Sequence, residues 1–151
     1  MKEHISRKGF IQINIVVADI ETAARKWADL LGIDMPEIQE RHLEGGENYT
    51  YRGEPVSCDL KVCDIAMDGW VLELHQPCGG PSSFQEFLDK RGNGVHHIGF
   101  EVGDRRDAVI AAMAEEGYDV NRTLGVYPGS SWTIVDGEDT LGVNLNIKPV
   151  R

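Results

Sequence analysis

An offset of 85 residues lays the segment Gln12 to Asp19 over the segment His97 to Asp104. The overlay runs on, with Ala23 over Ala108 and Gly32 over Gly117. Identities are few, yet strand, cap, helix and stop agree in order and spacing. Two copies of one supersecondary unit, packed together, are what an internal repeat of this length specifies. Unrelated strand-helix units share cap and stop signals, but their order and spacing need not agree as they do here.

Each copy reads the same way. In the first, a β-branched run over 10–17 puts Ile13, Ile15 and Val17 on one strand face, with Gln12 and Asn14 on the other. Asp19 is placed to cap a helix through Ala23, Ala24, Trp27, Leu30 and Leu31, which Gly32 ends. A polar, glycine-containing stretch over 37–48 follows, then strand-like runs over 49–52, 56–67 and 70–76, the last two joined by an Asp68-Gly69 turn. In the second copy, a strand over 95–102 precedes a helix capped by Asp104 and stopped at Gly117. Strands over 118–126, 131–136 and 141–148 complete it. Both halves read β-α-β-β-β. Between them, Ser82 or Ser83 caps a short helix carrying Phe84, Phe87 and Leu88 and ending at Gly92. The expected organisation is one domain over 1–151, with modules 10–77 and 95–149 joined by a loop-helix over 78–94.

The polar positions alternate with apolar ones along four strands. Glu73 and His75 oppose Leu72 and Leu74; His97, Gly99 and Glu101 oppose Ile98, Phe100 and Val102; Asn144 and Asn146 oppose Val143, Leu145 and Ile147. The apolar faces pack on helices. The polar faces meet either water or a shared cavity, and parity does not choose between them. His96, by the same parity, belongs to the face opposite His97.

Composition narrows the function classes. The 151 residues are 41% hydrophobic, enough for a core. The formal charge of −10 disfavours phosphate backbones and anionic lipid, so neither nucleic acid nor a membrane is an expected partner. The first residues lack the apolar run of a signal peptide, and no stretch approaches membrane-spanning length. Cys58, Cys63 and Cys78 include no C-x-x-C pair, which points to reduced thiols and a cytoplasmic location. Gly79 to Ser83 lacks the lysine and spacing of a phosphate loop. Tyr49, Tyr51, Trp70, Tyr127 and Trp132 supply either core packing or an aromatic lining.

The strand-helix run ending Leu30-Leu31-Gly32, the strand Leu72-Glu73-Leu74-His75-Gln76-Pro77 and the strand Gly94-Val95-His96-His97-Ile98-Gly99-Phe100 resemble the vicinal oxygen chelate superfamily. That group includes glyoxalase I, extradiol dioxygenases, bleomycin-resistance proteins and methylmalonyl-CoA epimerase. The chain is most similar to the epimerase-like branch. The resemblance implies an α+β fold in which paired βαβββ modules form a cup-shaped mixed sheet. It also implies a homodimer and a divalent-metal site (Mg, Mn, Co or Zn) at Gln12, Glu73, His97 and Asn146. Gln12 replaces the usual histidine there and Asn146 the usual carboxylate, so metal-dependent and metal-free action both stay open.

The implied chemistry is isomerase chemistry: a racemase or epimerase that exchanges the proton α to a carbonyl through an enolate. His97, Gln12 and Asn146 are candidate donors to the enolate oxygen, and Glu73 is the candidate base. His75 and Glu54 are candidates for a second acid/base group. The small-molecule carbonyl substrate is either an isoflavanone such as dihydrodaidzein or a methylmalonyl-CoA-like thioester. Scattered basic residues mark no coenzyme A phosphate site and favour the ketone. A non-catalytic sequestering protein of the bleomycin-resistance type is the alternative.

Overall fold

The computed structural model describes residues 1–46 and 48–150. In chain order the first half runs β1 (Phe10–Val16), α1 (Ile20–Leu31), β2 (Gln39–Leu43), β3 (Tyr49–Tyr51), β4 (Cys58–Ala66) and β5 (Val71–Pro77). Helix α2 (Ser83–Arg91) leads into β6 (Gly94–Glu101), α3 (Arg106–Glu115), β7 (Asp119–Tyr127), β8 (Ser130–Asp136), the short α4 (Glu138–Leu141) and β9 (Asn144–Lys148).

The caps act as their residue types require. The Asp19 carboxylate accepts from the Thr22 amide (3.1 Å), and Gly32 closes α1 in the left-handed region at φ 66°. Ser82 caps α2 through the Gln85 amide at 3.0 Å. Each such cap is worth about 1 kcal/mol. Asp104 does not act this way: Gly103–Arg105 form a 3-10 turn, and α3 starts after Arg105 without a side-chain cap. Helix α1 buries Ile20, Ala24 and Ala28, while Leu30 is 80% exposed, so the inward stripe ends a turn before the helix does.

Among the described residues, nine strands form one mixed sheet in the order β2-β4-β5-β1-β6-β9-β8-β7-β3. From edge to centre, the first half supplies β2-β4-β5-β1 and the second β7-β8-β9-β6, the same order twice. β1 and β6 meet antiparallel at the middle, flanked by parallel β5 and β9. The sheet curls into a cup. Helix α1 covers one outer face over Leu72, Leu74, Cys63 and Ile65, and α3 covers the other over Val135 and Ile147. Helix α2 packs inside, where Phe84 and Phe87 meet Val16, Tyr49 and Leu60.

Two strands depart from the expected order. The stretch over 37–48 contains β2, which pairs with β4 and supplies the outermost strand of the first module. Four of its five residues are exposed, so it carries no apolar alternation to reveal it. β3, expected inside the first module, pairs instead with β7 at the far end of the sheet, Tyr49 opposite Gly125. Gly142 also separates α4 from β9, so the final strand begins later than expected.

Candidate active site

The Asp68-Gly69 turn sets the register of β4 and β5, placing Asp64 opposite Glu73 and Val62 opposite His75. β1 lies beside β5 and aligns Asn14 with Glu73, while β6 on its other side aligns Asn14 with His97 and Gln12 with Gly99. The pairing of β6 with β9 then sets Gly99 beside Asn146. Four neighbouring strands thus turn Gln12, Glu73, His97 and Asn146 into one cavity of about 450 Å³. Its walls include Leu43, Leu60, Val62, Phe84 and Trp132, and Arg41 and Lys148 also line it. No helix of the described residues is long and apolar enough to cross a membrane.

Glycine makes the convergence possible. A Cβ on Gly99 would overlap the Gln12 side chain, which crosses over β6 at that point. Gln12 Oε1 there accepts from Asn146 Nδ2 (2.9 Å) and from His97 Nε2 (3.0 Å). Asn146 is oriented by the backbone: its Oδ1 accepts from the Thr133 amide at 3.1 Å, so its NH2 turns inward. Asn14 Nδ2 donates to Glu73 Oε1 at 2.9 Å, and His75 Nε2 stands 3.5 Å from the same oxygen.

The electrostatics follow from enclosure. Burial raises the Glu73 carboxyl, against the lowering effects of the Asn14 hydrogen bond and of Lys148. Asp64, on the exposed side of the cavity, is raised to about 6 by partial enclosure and then by the neighbouring Glu73 carboxylate. Two carboxyls this close hold a proton between them through the range where isolated ones are ionised. Burial pushes His75 down to about 4, His96 to about 3 and His97 well below 6.5, so all three imidazoles are neutral at pH 7.

Asp64 did not appear among the candidates from sequence. The signal was present, because Asp64 and Glu73 are equidistant from the centre of the Asp68-Gly69 turn, and a two-residue hairpin fixes such pairs opposite each other. Glu54, a candidate acid/base group, lies in the exposed turn after β3, bridged to Tyr51. It is not among the residues lining the cavity. β3 belongs to the far edge of the sheet and carries the turn after it away from the site. His75 does line the cavity, wedged edge-on against Phe84 with ring centroids 4.6 Å apart.

His96 is also relocated. The pairing of β1 with β6 slips by one residue between Asn14 and Ile15, a bulge that gives His96 no partner on β1. The bulge turns His96 to the same side as His97, where it packs on Phe84 (4.6 Å) and Phe87 (5.5 Å). Its Nδ1 lies 2.8 Å from Nδ1 of His97.

The four positions implied as metal ligands do converge, but their donor atoms do not suit a divalent cation. Gln12 Oε1 already faces two N–H groups, whose partial positive charge opposes a cation there. Asn146 presents its NH2 and not its oxygen. Glu73 contributes the single formal charge of the set, and hard cations want more anionic oxygen than that. The arrangement is that of a hydrogen-bonded network.

Comparison with solved structures finds methylmalonyl-CoA epimerase from Mycobacterium tuberculosis at 22% identity and TM-score 0.59, covering 95% of this chain and 88% of that one. A hypothetical protein from Bacillus halodurans C-125 is 20% identical with TM-score 0.62, covering 92% and 91%. Streptomyces coelicolor methylmalonyl-CoA epimerase in complex with 2-nitronate-propionyl-CoA is 21% identical with TM-score 0.56, covering 96% and 97%. No curated protein matches the sequence significantly. The family model of the glyoxalase/bleomycin resistance protein/dioxygenase superfamily matches residues 11–135. The repeated strand order, the cup and the matched residues agree, and the chain belongs to that superfamily, on the fold that methylmalonyl-CoA epimerases share.

Proposed function

We propose that the protein is a racemase or epimerase exchanging the proton on the carbon α to a carbonyl. The observation that carries this reading is a carboxyl pair, Asp64 and Glu73, in one cavity with the amide donors of Gln12 and Asn146. Proton abstraction next to a carbonyl needs a base near working pH, an acid to return the proton, and donors for the enolate oxygen. With one proton shared by the pair, the Glu73 carboxylate takes the α-proton, and the electron pair moves onto the carbonyl oxygen. The Asp64 carboxyl, raised to about 6, is the group that returns a proton to carbon. Asn14 and His75 orient Glu73.

The apolar part of the wall, Leu43, Leu60, Val62, Phe84 and Trp132, supports a flat ring system such as an isoflavanone of the dihydrodaidzein type. Similarity to methylmalonyl-CoA epimerases supports a methylmalonyl-CoA-like thioester, and Lys148 and Arg41 at the cavity are the cations an acyl carboxylate would meet. Incubating each class of chiral substrate with the protein in D₂O distinguishes the two. The expected result is α-deuteration with loss of optical rotation, reduced by about 10²-fold or more in Glu73→Gln. Tight binding without deuteration would replace this reading with non-catalytic sequestration.

A further inference from the structure

The geometry points to His96 as a positioning residue that, through His97, supplies the second of two donors (Asn146 is the first) that hold the Gln12 amide with its NH2 toward the substrate oxygen. The inference rests on the enolate reading for the identity of that oxygen, and on the structure alone for the wiring. The wiring can be followed from one backbone group. The Thr133 amide is a donor and nothing else, so the Asn146 atom 3.1 Å from it is the oxygen. Asn146 therefore offers N–H to Gln12, and the Gln12 atom 2.9 Å away is an oxygen. An amide oxygen only accepts, so His97 Nε2, 3.0 Å from it, carries the hydrogen. A neutral imidazole has one hydrogen, which leaves His97 Nδ1 bare. His96 Nδ1, 2.8 Å from it, must then be the donor.

His96 is fully buried, and its remaining nitrogen, Nε2, has no well-aligned hydrogen-bond partner among the described residues, although the Ser83 backbone lies against the ring. The other tautomer would set two bare nitrogens against each other at Nδ1. With Oε1 held by two donors, Gln12 has only its NH2 left for a ligand, and the residue lines the cavity. The site thus answers developing negative charge with an oriented amide. The histidine pair makes the same position unreceptive to a cation, since His97 would have to surrender the Nε2 hydrogen that His96 holds in place.

Ring-nitrogen NMR on the ¹⁵N-labelled intact protein, without substrate, reads the tautomers directly. Hydrogens on His97 Nε2 and His96 Nδ1 are expected; His97 protonated at Nδ1 would overturn the inference. His96→Asn places an amide N–H where Nδ1 stood and is expected to keep most of the exchange rate. His96→Leu removes the donor while Asn146 still holds Gln12 Oε1, and is expected to lower kcat by roughly 10-fold with KM little changed, below the roughly 10²-fold of a wholly lost oxyanion donor. An unchanged kcat in a folded His96→Leu protein overturns the inference, and should that variant fail to fold, the wild-type tautomers decide. Titration with Mn²⁺ is expected to show no stoichiometric binding, and binding that disappears in Glu73→Gln would overturn the assignment. Neither the NMR nor the Mn²⁺ reading needs a substrate. Absence of deuterium exchange would therefore end the enolate reading and leave these results to be judged alone.

Discussion

Asp64 and Glu73 face each other on adjacent antiparallel strands, so ionising one makes ionising the other harder. The consequence is a pH profile. With Asp64 raised to about 6 and needed as the proton donor, kcat/KM is expected to fall as pH rises through about 6. Asp64→Asn should abolish that limb and lower the rate by about 10²–10⁴-fold, measured as α-deuteration over pH 4–8. A second residue-scale outcome concerns Gly99, above which Gln12 lies. Gly99→Ala is expected to displace Gln12 and raise KM or lower kcat, with thermal stability also reduced. Strand parity puts Gln12, Glu73, His97 and Asn146 on polar faces, since alternation alone sorts a strand into two faces, and the family resemblance singles them out there. Parity does not place His96, because a bulge breaks the alternation and local sequence carries no mark of it.

At the scale of elements, α2 is the piece that turns a curved sheet into an enclosed site. Its Phe84 touches His75, His96 and Trp132 and forms part of the cavity wall. Its outer side is tied down by Glu86, which meets Arg52 from the turn after β3 and Arg122 from β7. Arg122 is 1% exposed and also pairs with Asp136 at 2.8 Å and Glu138 at 3.4 Å. Removing the cation leaves Glu138, whose side chain is only 7% exposed, with Arg91 alone at 3.2 Å, and takes from Asp136 and Glu86 the buried partner they share. Arg122→Leu is therefore expected to destabilise the fold by about 3–5 kcal/mol, read from urea unfolding, and to loosen α2 over the cavity. Helices α1 and α2 were readable because cap, apolar spacing and glycine stop coincide. Strands β2 and β3 were not, since an edge strand with exposed side chains has no periodicity and a three-residue strand does not name its partner.

For the whole molecule, three neutral imidazoles are enclosed in one interior. His75, His96 and His97 have folded pKa values below 6.5, so unfolding takes up protons at acid pH. The sign follows: their stabilisation is complete above 6.5 and is lost as pH falls toward about 4. Asp64 and Glu73, raised above their ordinary values, act in the opposite sense, their stabilisation being lost as pH rises toward about 6 for Asp64. Three groups outweigh two, so the urea midpoint is expected to fall between pH 6.5 and 4.5, and to fall less in a folded His96→Asn protein. The sequence by itself determined the repeat, the alternating strand faces and the caps, because these depend on near neighbours and on fixed backbone periods of 2.0 and 3.6 residues. Tertiary structure decided which strand completes which module, that the polar faces meet over a cavity and not water, and which groups His96 and His97 meet. Those outcomes depend on groups brought together from residues 12 to 146, and on hydrogen-bond partners that exist only once the sheet has closed.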